Sequence, residues 1–275
     1  MRGETYLRKS DLKLPRRKAA SHKGQNGRVL AIGGSGDYVG AIALAGLAAL
    51  RSGVDIVVVA APEKTAWAVN CLSPDLITKK FSGKYFTQKH AGDIIKLSKS
   101  FDVVLIGNGL GLRNETKEFV RKVVKSVKCP LVIDADAIKA LRIQDICNAI
   151  ITPHFGELEI LLGNSKIGKN EIQKYVNGNV ILLKGPTDTI ISKSKVVFNK
   201  TGNAGMTKGG TGDVLAGLCA GYLAQSHDLF QSACNAAYIN GMIGDILLKK
   251  KKGFTYLASD MVGEIGRVAE KFSKD

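Results

Sequence analysis

The 275-residue sequence predicts an α/β protein with a mostly parallel sheet between two layers of helices. Two observations carry this prediction. Short apolar runs recur along the chain with helical patterns mostly between them, and these runs are nearly continuous rather than alternating in polarity. Strands of that kind are covered on both faces, as in a parallel sheet with helices on each side. The chain is 45% apolar and 23% charged, so it can bury a substantial core.

The individual elements follow from the same pattern, taken in chain order. The predicted strands are Arg28–Gly33, Asp55–Ala60, Val103–Ile106, Leu131–Ile133, Ala149–Thr152, Val180–Leu183 and Thr189–Ile191. The predicted helices include Ala41–Ser52 after the first strand and, in the C-terminal third, Asp213–Ala224, Leu229–Lys249 and Leu257–Phe272. No Ser/Pro-rich linker or repeat divides the chain. Residues 1–275 are therefore predicted to form one domain, with residues 1–24 as a basic N-terminal segment.

Composition disfavours several classes of protein. No apolar run approaches the roughly eighteen residues that a membrane-spanning helix needs, and the first residues lack the core of a secretory signal, so a cytoplasmic protein is expected. The five cysteines lack C-x-x-C spacing, which argues against a disulfide framework or structural zinc. The net charge of +16 would suit nucleic acid, an anionic membrane surface or a small polyanion. An aromatic content of 6%, without a basic stripe, disfavours nucleic acid.

The most informative segment is Asn-Ala-Gly-Met-Thr-Lys-Gly-Gly-Thr-Gly-Asp at residues 203–213, which leads directly into a predicted helix. Its glycines let backbone N–H groups converge, and the helix N-terminus favours negative charge, so the segment is suited to hold an anion. The Asp213 carboxylate would oppose phosphate binding unless it removes the proton from a hydroxyl that attacks the phosphate. We predict this role as general base. The alternative is that Asp213 caps the helix, where Asp is a preferred residue.

Other strand ends also carry candidate site residues. Gly33–Gly36 and Gly107–Gly111 each follow a strand but miss the spacing of a dinucleotide fingerprint, and no phosphate loop of the G-x-x-x-x-G-K-[ST] type occurs. The motif Asp134-Ala135-Asp136 follows one strand, and Thr152-Pro153-His154 with Glu157 follows another. Ligands bind beyond the carboxyl ends of strands in open α/β sheets, so these residues predict a site rather than isolated turns. Without further clustered histidines, His154 and Glu157 do not indicate zinc.

These motifs occur in an order that resembles the NAD(P)H-hydrate dehydratase family, the repair enzymes of the ribokinase-like superfamily. The resemblance extends from about Gly24 to Phe272 and includes Leu183-Lys184-Gly185. It implies a ribokinase-like three-layer sandwich. It also implies dehydration of the S form of hydrated NADH or NADPH, driven by ADP in prokaryotic members, with AMP and phosphate as products, or by ATP in eukaryotic ones. Mg²⁺ and a homotetramer are further implications.

The resemblance also implies roles for individual residues. Asp213 is the implied base and contacts the hydrated dinucleotide together with Ala41, Gly109 and His154. The implied contacts to the adenine nucleotide are Lys184, Gly185, Pro186, Thr187, Asp188 and Gly212. An anion hole is expected from Gly210, Thr211 and Gly212, and Glu157 is expected to organise Mg²⁺ through water. Asp136 is the next candidate if Asp213 is not the base.

Many members of this family are fused to an epimerase that interconverts the S and R hydrates. Fewer than thirty residues precede Arg28, so epimerisation is expected to need a separate protein.

Two other functions stay open on the sequence alone. A plain small-molecule kinase of the same superfamily, acting on a sugar or vitamin precursor, would retain Asp213 and its glycines. The motifs Thr152-Pro153-His154 and Gly107–Gly111 favour the dehydratase. A non-catalytic nucleotide- or nucleic-acid-binding protein is suggested by the net charge of +16, and an intact Asp213 argues against it.

Overall fold

A computed structural model describes residues 4–251 and 253–272, so Met1 to Gly3 of the predicted N-terminal segment lie outside the described residues. Within the described part of the chain, the strands are β1 (Arg28–Ile32), β2 (Ile56–Pro62), β3 (Ile77–Phe81), β4 (Val103–Ile106), β5 (Leu131–Ile133), β6 (Ala149–Ile151), β7 (Val180–Leu183), β8 (Asp188–Ile191) and β9 (Val196–Asn199). The α-helices are α1 (Val39–Arg51), α2 (Glu63–Leu72), α3 (Ala91–Ser98), α4 (Asn114–Ser126), α5 (Phe155–Ser165), α6 (Ile172–Tyr175), α7 (Thr211–Ser226), α8 (Leu229–Lys250) and α9 (Ala258–Glu270).

All of these strands form one mixed sheet in the order β3-β2-β1-β4-β5-β6-β7-β8-β9. The strands from β3 to β7 pair in parallel, and β8 and β9 add antiparallel to that edge. Leu30 in β1 pairs with Val58 in β2 and Val104 in β4, so β1 lies inside the sheet. This mostly parallel sheet confirms the predicted fold class.

Helices cover both faces of the sheet. Val29 and Ala31 of β1 belong to a buried cluster with α1, α7, α8 and α9, whereas Leu30 and Ile32 belong to a second cluster with α4 and α5. Successive side chains of a strand point to opposite faces, so the two clusters lie on the two sides of the sheet. This burial on both faces explains why the strands read as continuous apolar runs.

The N-terminal segment lies against this sandwich. Leu7 donates its backbone N–H to the Phe198 carbonyl oxygen of β9 at 2.8 Å, and the Arg17 guanidinium pairs with the Asp55 carboxylate at 2.6 Å. Leu12 and Leu14 pack against the core. The described part of this predicted basic segment is therefore anchored by backbone pairing, an ion pair and apolar contacts.

Helices α1 and α7 approach each other closely. A Cβ atom on Gly217 of α7 would lie 2.2 Å from the carbonyl oxygen of Ala45 in α1. One on Gly221 would lie 1.9 Å from Ser52 Oγ. Glycine at these positions lets the helix backbones touch, and this contact helps to fix the place of the α7 N-terminus.

Among the described helices, none is long and apolar enough to cross a membrane.

Candidate active site

The candidate site lies where the strand order reverses. Because β1 sits between β2 and β4, the carboxyl ends of β1 and β4 form the crevice where open α/β sheets bind ligands. The backbone N–H of Gly34, after β1, donates to the carbonyl oxygen of Asn108, after β4, at 2.8 Å. A Cβ atom on Gly33 would lie 2.3 Å from that same oxygen. Glycine is therefore required for these two loops to meet.

The N-terminus of α7 carries the predicted anion site. Gly210 takes the N-cap position with φ 96°, a left-handed conformation that favours glycine. Thr211 Oγ1 donates to the carbonyl oxygens of Met206 at 2.6 Å and Lys208 at 2.9 Å, which holds the glycine loop in place. Within the described chain, the N–H groups of Gly210 and Gly212 find no protein acceptor, whereas that of Thr211 donates to Lys208 at 3.4 Å. The two glycines therefore offer free donors at the positive end of a helix.

Asp213 is the third residue of α7 and does not cap it. The N-cap residue is Gly210, and Asp213 Oδ1 instead accepts a hydrogen bond from Asn108 Nδ2 at 2.7 Å. Burial raises the pKa of Asp213 to about 7; the Asn108 hydrogen bond opposes this rise and the nearby Asp134 carboxylate adds to it. A carboxyl group with a pKa near neutrality suits a general base at neutral pH.

Asp134 links the loops after four strands. Its Oδ2 accepts from Asn108 Nδ2 at 2.9 Å, and its Oδ1 accepts from Thr152 Oγ1 at 2.7 Å and Lys184 Nζ at 2.9 Å. The Asp134 side chain is 2% exposed, so this buried charge is compensated by Lys184 and two neutral donors. These contacts join the carboxyl ends of β4, β5, β6 and β7.

Lys184 lies between the Asp134 carboxylate and Gly212 at the N-terminus of α7. Burial works against its charge, but Asp134 and Glu157 outweigh that effect and raise the pKa of the Lys184 ammonium, so the side chain stays charged. A Cβ atom on Gly212 would lie 3.5 Å from Lys184 Nζ. The structure therefore brings two predicted nucleotide-binding residues, Lys184 and Gly212, close together.

His154 and Glu157 form a capping box at the start of α5. His154 Nδ1 accepts from the N–H groups of Gly156 at 3.1 Å and Glu157 at 3.3 Å, and Glu157 Oε2 accepts from His154 N at 3.1 Å. Because Nδ1 accepts both bonds, the neutral ring carries its proton on Nε2. The His154 side chain is 59% exposed, and its Nε2 lies 3.5 Å from Glu157 Oε1.

The predicted metal residue, Glu157, already has two cationic neighbours. Its Oε1 lies 3.7 Å from Lys139 Nζ, and its Oε2 lies 3.9 Å from Lys184 Nζ. The described residues contain no group of three or more His, Cys, Asp or Glu side chains that could hold a metal ion. Mg²⁺ usually keeps water and substrate phosphates as ligands with one or two carboxylates, so Glu157 would take part in such a site through water rather than within a cage of protein ligands.

Asp136, the second candidate base, supports the loop after β4. Its Oδ1 accepts from Lys139 Nζ at 3.0 Å and its Oδ2 from the Gly111 N–H at 2.9 Å. Both oxygens are thus engaged. On the same loop, a Cβ atom on Gly109 would lie 3.3 Å from Ala41 Cβ, so these two predicted substrate residues are neighbours.

The remaining predicted nucleotide residues form the loop between β7 and β8. Asp188 Oδ1 accepts from the Gly185 N–H at 3.1 Å, and Asp188 Oδ2 accepts from Asn199 Nδ2 at 3.0 Å. Burial raises the pKa of Asp188. Its carboxyl group thus closes the loop that contains Pro186 and Thr187.

Two residues of this network were not predicted as site residues. Asn108 stands inside the Gly107–Gly111 motif, but an amide between glycines has no chemical signature in one sequence. Lys139 follows Asp136 by three residues and has no other signal.

A separate groove of about 720 Å³ lies between the N-terminal segment, β9 and α8. It is lined by residues such as Asp11 and Lys195, and it holds none of the predicted site residues.

Comparison with known proteins gives consistent matches. A family model described as NAD(P)H-hydrate dehydratase matches residues 29–267. The chain is 42% identical over 267 residues to the bifunctional NAD(P)H-hydrate repair enzyme Nnr of Pyrobaculum aerophilum, covering 94% of this chain and 53% of that one. It is 36% identical over 274 residues to the ADP-dependent (S)-NAD(P)H-hydrate dehydratase of Nitrosopumilus maritimus, covering 95% and 94% of the two chains.

A solved structure matches over nearly the whole chain. The ADP/ATP-dependent NAD(P)H-hydrate dehydratase of Bacillus subtilis, co-crystallised with ATP and Mg²⁺, superposes with a TM-score of 0.85 at 29% identity, covering 99% of this chain and 100% of that one. The predicted ribokinase-like fold is thereby confirmed. The chain spans about half the length of the bifunctional relatives that it matches.

Proposed function

The chain belongs to the NAD(P)H-hydrate dehydratase family, and on that premise we propose that it dehydrates the S form of hydrated NADH or NADPH, with ADP as the preferred phosphoryl donor and AMP and phosphate as products. One observation carries the proposal. Asp213, whose pKa is raised to about 7 by burial, lies at the N-terminus of α7 beside the free N–H groups of Gly210 and Gly212. A base and an anion site thus share one helix end.

The chemistry of the hydrate explains why a phosphoryl donor is needed. The hydrate carries a hydroxyl group on a saturated ring carbon next to the ring nitrogen, and hydroxide is a poor leaving group near neutral pH. Asp213 removes the hydroxyl proton while the oxygen attacks the terminal phosphoryl group of ADP, and AMP leaves. The C–O bond then breaks with release of phosphate, driven by the nitrogen lone pair. Loss of a neighbouring ring proton restores the dihydronicotinamide.

The residues around Asp213 have complementary roles in this proposal. The N–H groups of Gly210 and Gly212 stabilise the charge on the transferring phosphoryl group, and the Lys184 ammonium neutralises part of it. Ala41, Gly109 and the exposed imidazole of His154 contact the hydrated dinucleotide. Gly185 to Asp188 border the adenine nucleotide.

We also propose Mg²⁺ as a cofactor. Glu157 would hold it through water, and the ion would neutralise charge on the phosphate oxygens when bound. The B. subtilis relative was co-crystallised with ATP and Mg²⁺, which supports this part of the proposal.

The family resemblance further supports a cytoplasmic homotetramer. Since the proposed reaction takes only the S hydrate, an epimerase is the proposed partner for the R form.

The test is recovery of NADH absorbance from hydrated NADH with Mg²⁺ and either ADP, ATP or no nucleotide. We expect recovery only with a nucleotide, and faster with ADP. The Asp213→Asn variant should lose about two to four orders of magnitude in kcat, the usual contribution of a positioned base. Recovery without nucleotide would exclude the mechanism. An inert hydrate together with phosphorylation of a sugar or vitamin precursor would select the kinase alternative.

A further inference from the structure

We propose that Asn108 is the positioning residue of this site and that its side-chain amide bridges Asp134 and Asp213, holding Asp213 in place and favouring its ionised form. This inference rests on the proposed role of Asp213 as base. Asn108 Nδ2 lies 2.9 Å from Asp134 Oδ2 and 2.7 Å from Asp213 Oδ1. Asn108 Nδ2 thus donates one N–H to each of two carboxylates, which come from different parts of the chain.

The orientation of this amide follows from its neighbours. Turning it over would place Asn108 Oδ1 against two carboxylate oxygens, so Nδ2 must face Asp134 and Asp213. The residue is fully buried, and its backbone carbonyl is held by the Gly34 N–H at 2.8 Å. Rotation or displacement of the Asn108 side chain is therefore restricted.

The amide keeps this position although part of it is left unpaired. Asn108 Oδ1 is buried without a hydrogen-bond partner in the described part of the protein, which costs free energy of folding. An apolar side chain at this position would avoid that cost. A residue retained only for packing would not need the amide, whereas a residue that serves two carboxylates does.

The bridge also decides which oxygen of Asp213 is available. Oδ1 accepts from Asn108, while no described residue donates to Oδ2. The charged groups that act on Asp213 are Asp134, Asp136 and Lys184, and Lys184 makes its direct contact with Asp134 rather than with Asp213. Asn108 is thus the neighbour that favours the ionised form of Asp213 by direct hydrogen bonding, and Oδ2 is left to receive the proton of the substrate hydroxyl.

The experiment measures the pKa of Asp213 directly and the activity in parallel. Protein labelled with ¹³C at the aspartate carboxyl carbons is titrated by NMR, and the Asp213 signal is assigned by its loss in Asp213→Asn. In Asn108→Leu, which has a similar volume and no donor, we expect the pKa of Asp213 to rise by about one to two pH units. The acid limb of the kcat profile should move up by the same amount, while KM for ADP changes less than about threefold.

Two further variants serve as control and second test. Thr152→Val removes a donor to Asp134 but leaves the Asn108 bridge intact, so it should move the pKa of Asp213 much less than Asn108→Leu. If Asn108→Leu does not fold, as judged by circular dichroism, Asn108→Ala makes the same test without added bulk.

The outcomes separate this inference from the proposed function. A folded Asn108 variant with the wild-type Asp213 pKa would overturn the bridging role, and so would an equal shift in Thr152→Val. Wild-type protein that leaves hydrated NADH unchanged would overturn the proposed function, while the NMR titration would still decide the role of Asn108.

Discussion

At the scale of single residues, the buried carboxylate of Asp213 lowers the stability of the folded protein. Its pKa is raised by burial from an ordinary value of 3.8 to about 7, so between these pH values the folded protein binds more protons than the unfolded chain. The free energy of unfolding must therefore fall as pH rises through this window, and no such penalty exists below it. The Asp213 carboxylate, the proposed base, is thus a destabilising group at neutral pH.

We expect Asp213→Asn to be more stable than the wild type at pH 8, by up to about 4 kcal/mol, because a neutral amide escapes the cost of a buried charge. Near pH 3 the two proteins should differ little, since the carboxyl group is then protonated in both states. Urea unfolding at both pH values measures the difference. Asp37→Asn, the same change at an exposed loop position, is the control and should alter stability by less than about 0.5 kcal/mol. Equal stability of Asp213→Asn and wild type at pH 8 would contradict the raised pKa.

At the scale of elements, the contact between α1 and α7 determines where Asp213 and Gly210–Gly212 lie. Gly217→Ala would place a methyl group 2.2 Å from the Ala45 carbonyl oxygen and 2.8 Å from Ala48 Cβ. Since both neighbours are backbone or short side chains in a packed core, α7 must shift. We expect a loss of about 1–3 kcal/mol in the free energy of unfolding and a lower kcat.

The matched control for this prediction is Gly263→Ala in α9. Gly263 is exposed within a helix, and a Cβ atom there has no heavy atom within 4 Å. Alanine should therefore stabilise the protein by about 0.5–1 kcal/mol, through helix propensity alone. Thermal unfolding and steady-state kinetics of the two variants test the contrast. If both variants unfold at the same temperature, the α1–α7 contact does not restrict α7 as described.

The elements also show what could be predicted from the sequence and what could not. The strands buried on both faces were predicted within one or two residues, because their continuous apolar runs reflect two helix layers. The sheet edges β3 and β9 were missed. The side chains of β3 alternate between exposed and partly buried, as in Lys79 and Lys80, and β9 is mostly half-buried, so neither gives a continuous apolar run.

The same limit applies to the site. The glycine loop and Asp213 carry a local signature, since a helix N-terminus, its preceding glycines and the acidic residue are adjacent in the chain. Asn108 contacts Asp134 and Asp213, which lie 26 and 105 residues away. Such a contact depends on the order of the strands in the sheet, which no local pattern contains.

At the scale of the whole molecule, the excess of 40 lysines and arginines over 24 aspartates and glutamates acts in two opposite ways. Mutual repulsion among like charges destabilises the folded protein, while the same field attracts anionic ligands, which include the proposed ADP and hydrated dinucleotide. Both effects weaken as salt shortens the Debye length, from about 30 Å at 0.01 M to about 10 Å at 0.1 M. Added salt should therefore raise the stability of the folded protein and lower the rate of substrate capture.

We expect that raising potassium chloride from about 10 mM to about 300 mM increases the melting temperature and lowers kcat/KM for ADP several-fold, with kcat changed less than about twofold. The matched control is the double variant Lys99→Glu and Lys128→Glu. Both residues are exposed and precede β4 and β5, at the amino ends of the strands, whereas the candidate site lies at their carboxyl ends. The double variant changes the field without touching the site, so both salt dependences should become shallower. Chloride is used because sulfate or phosphate would compete for the N–H groups of Gly210 and Gly212. A melting temperature that falls with salt would exclude the destabilising effect of the net charge, and a kcat/KM for ADP that does not respond to salt would exclude its attraction of anionic ligands.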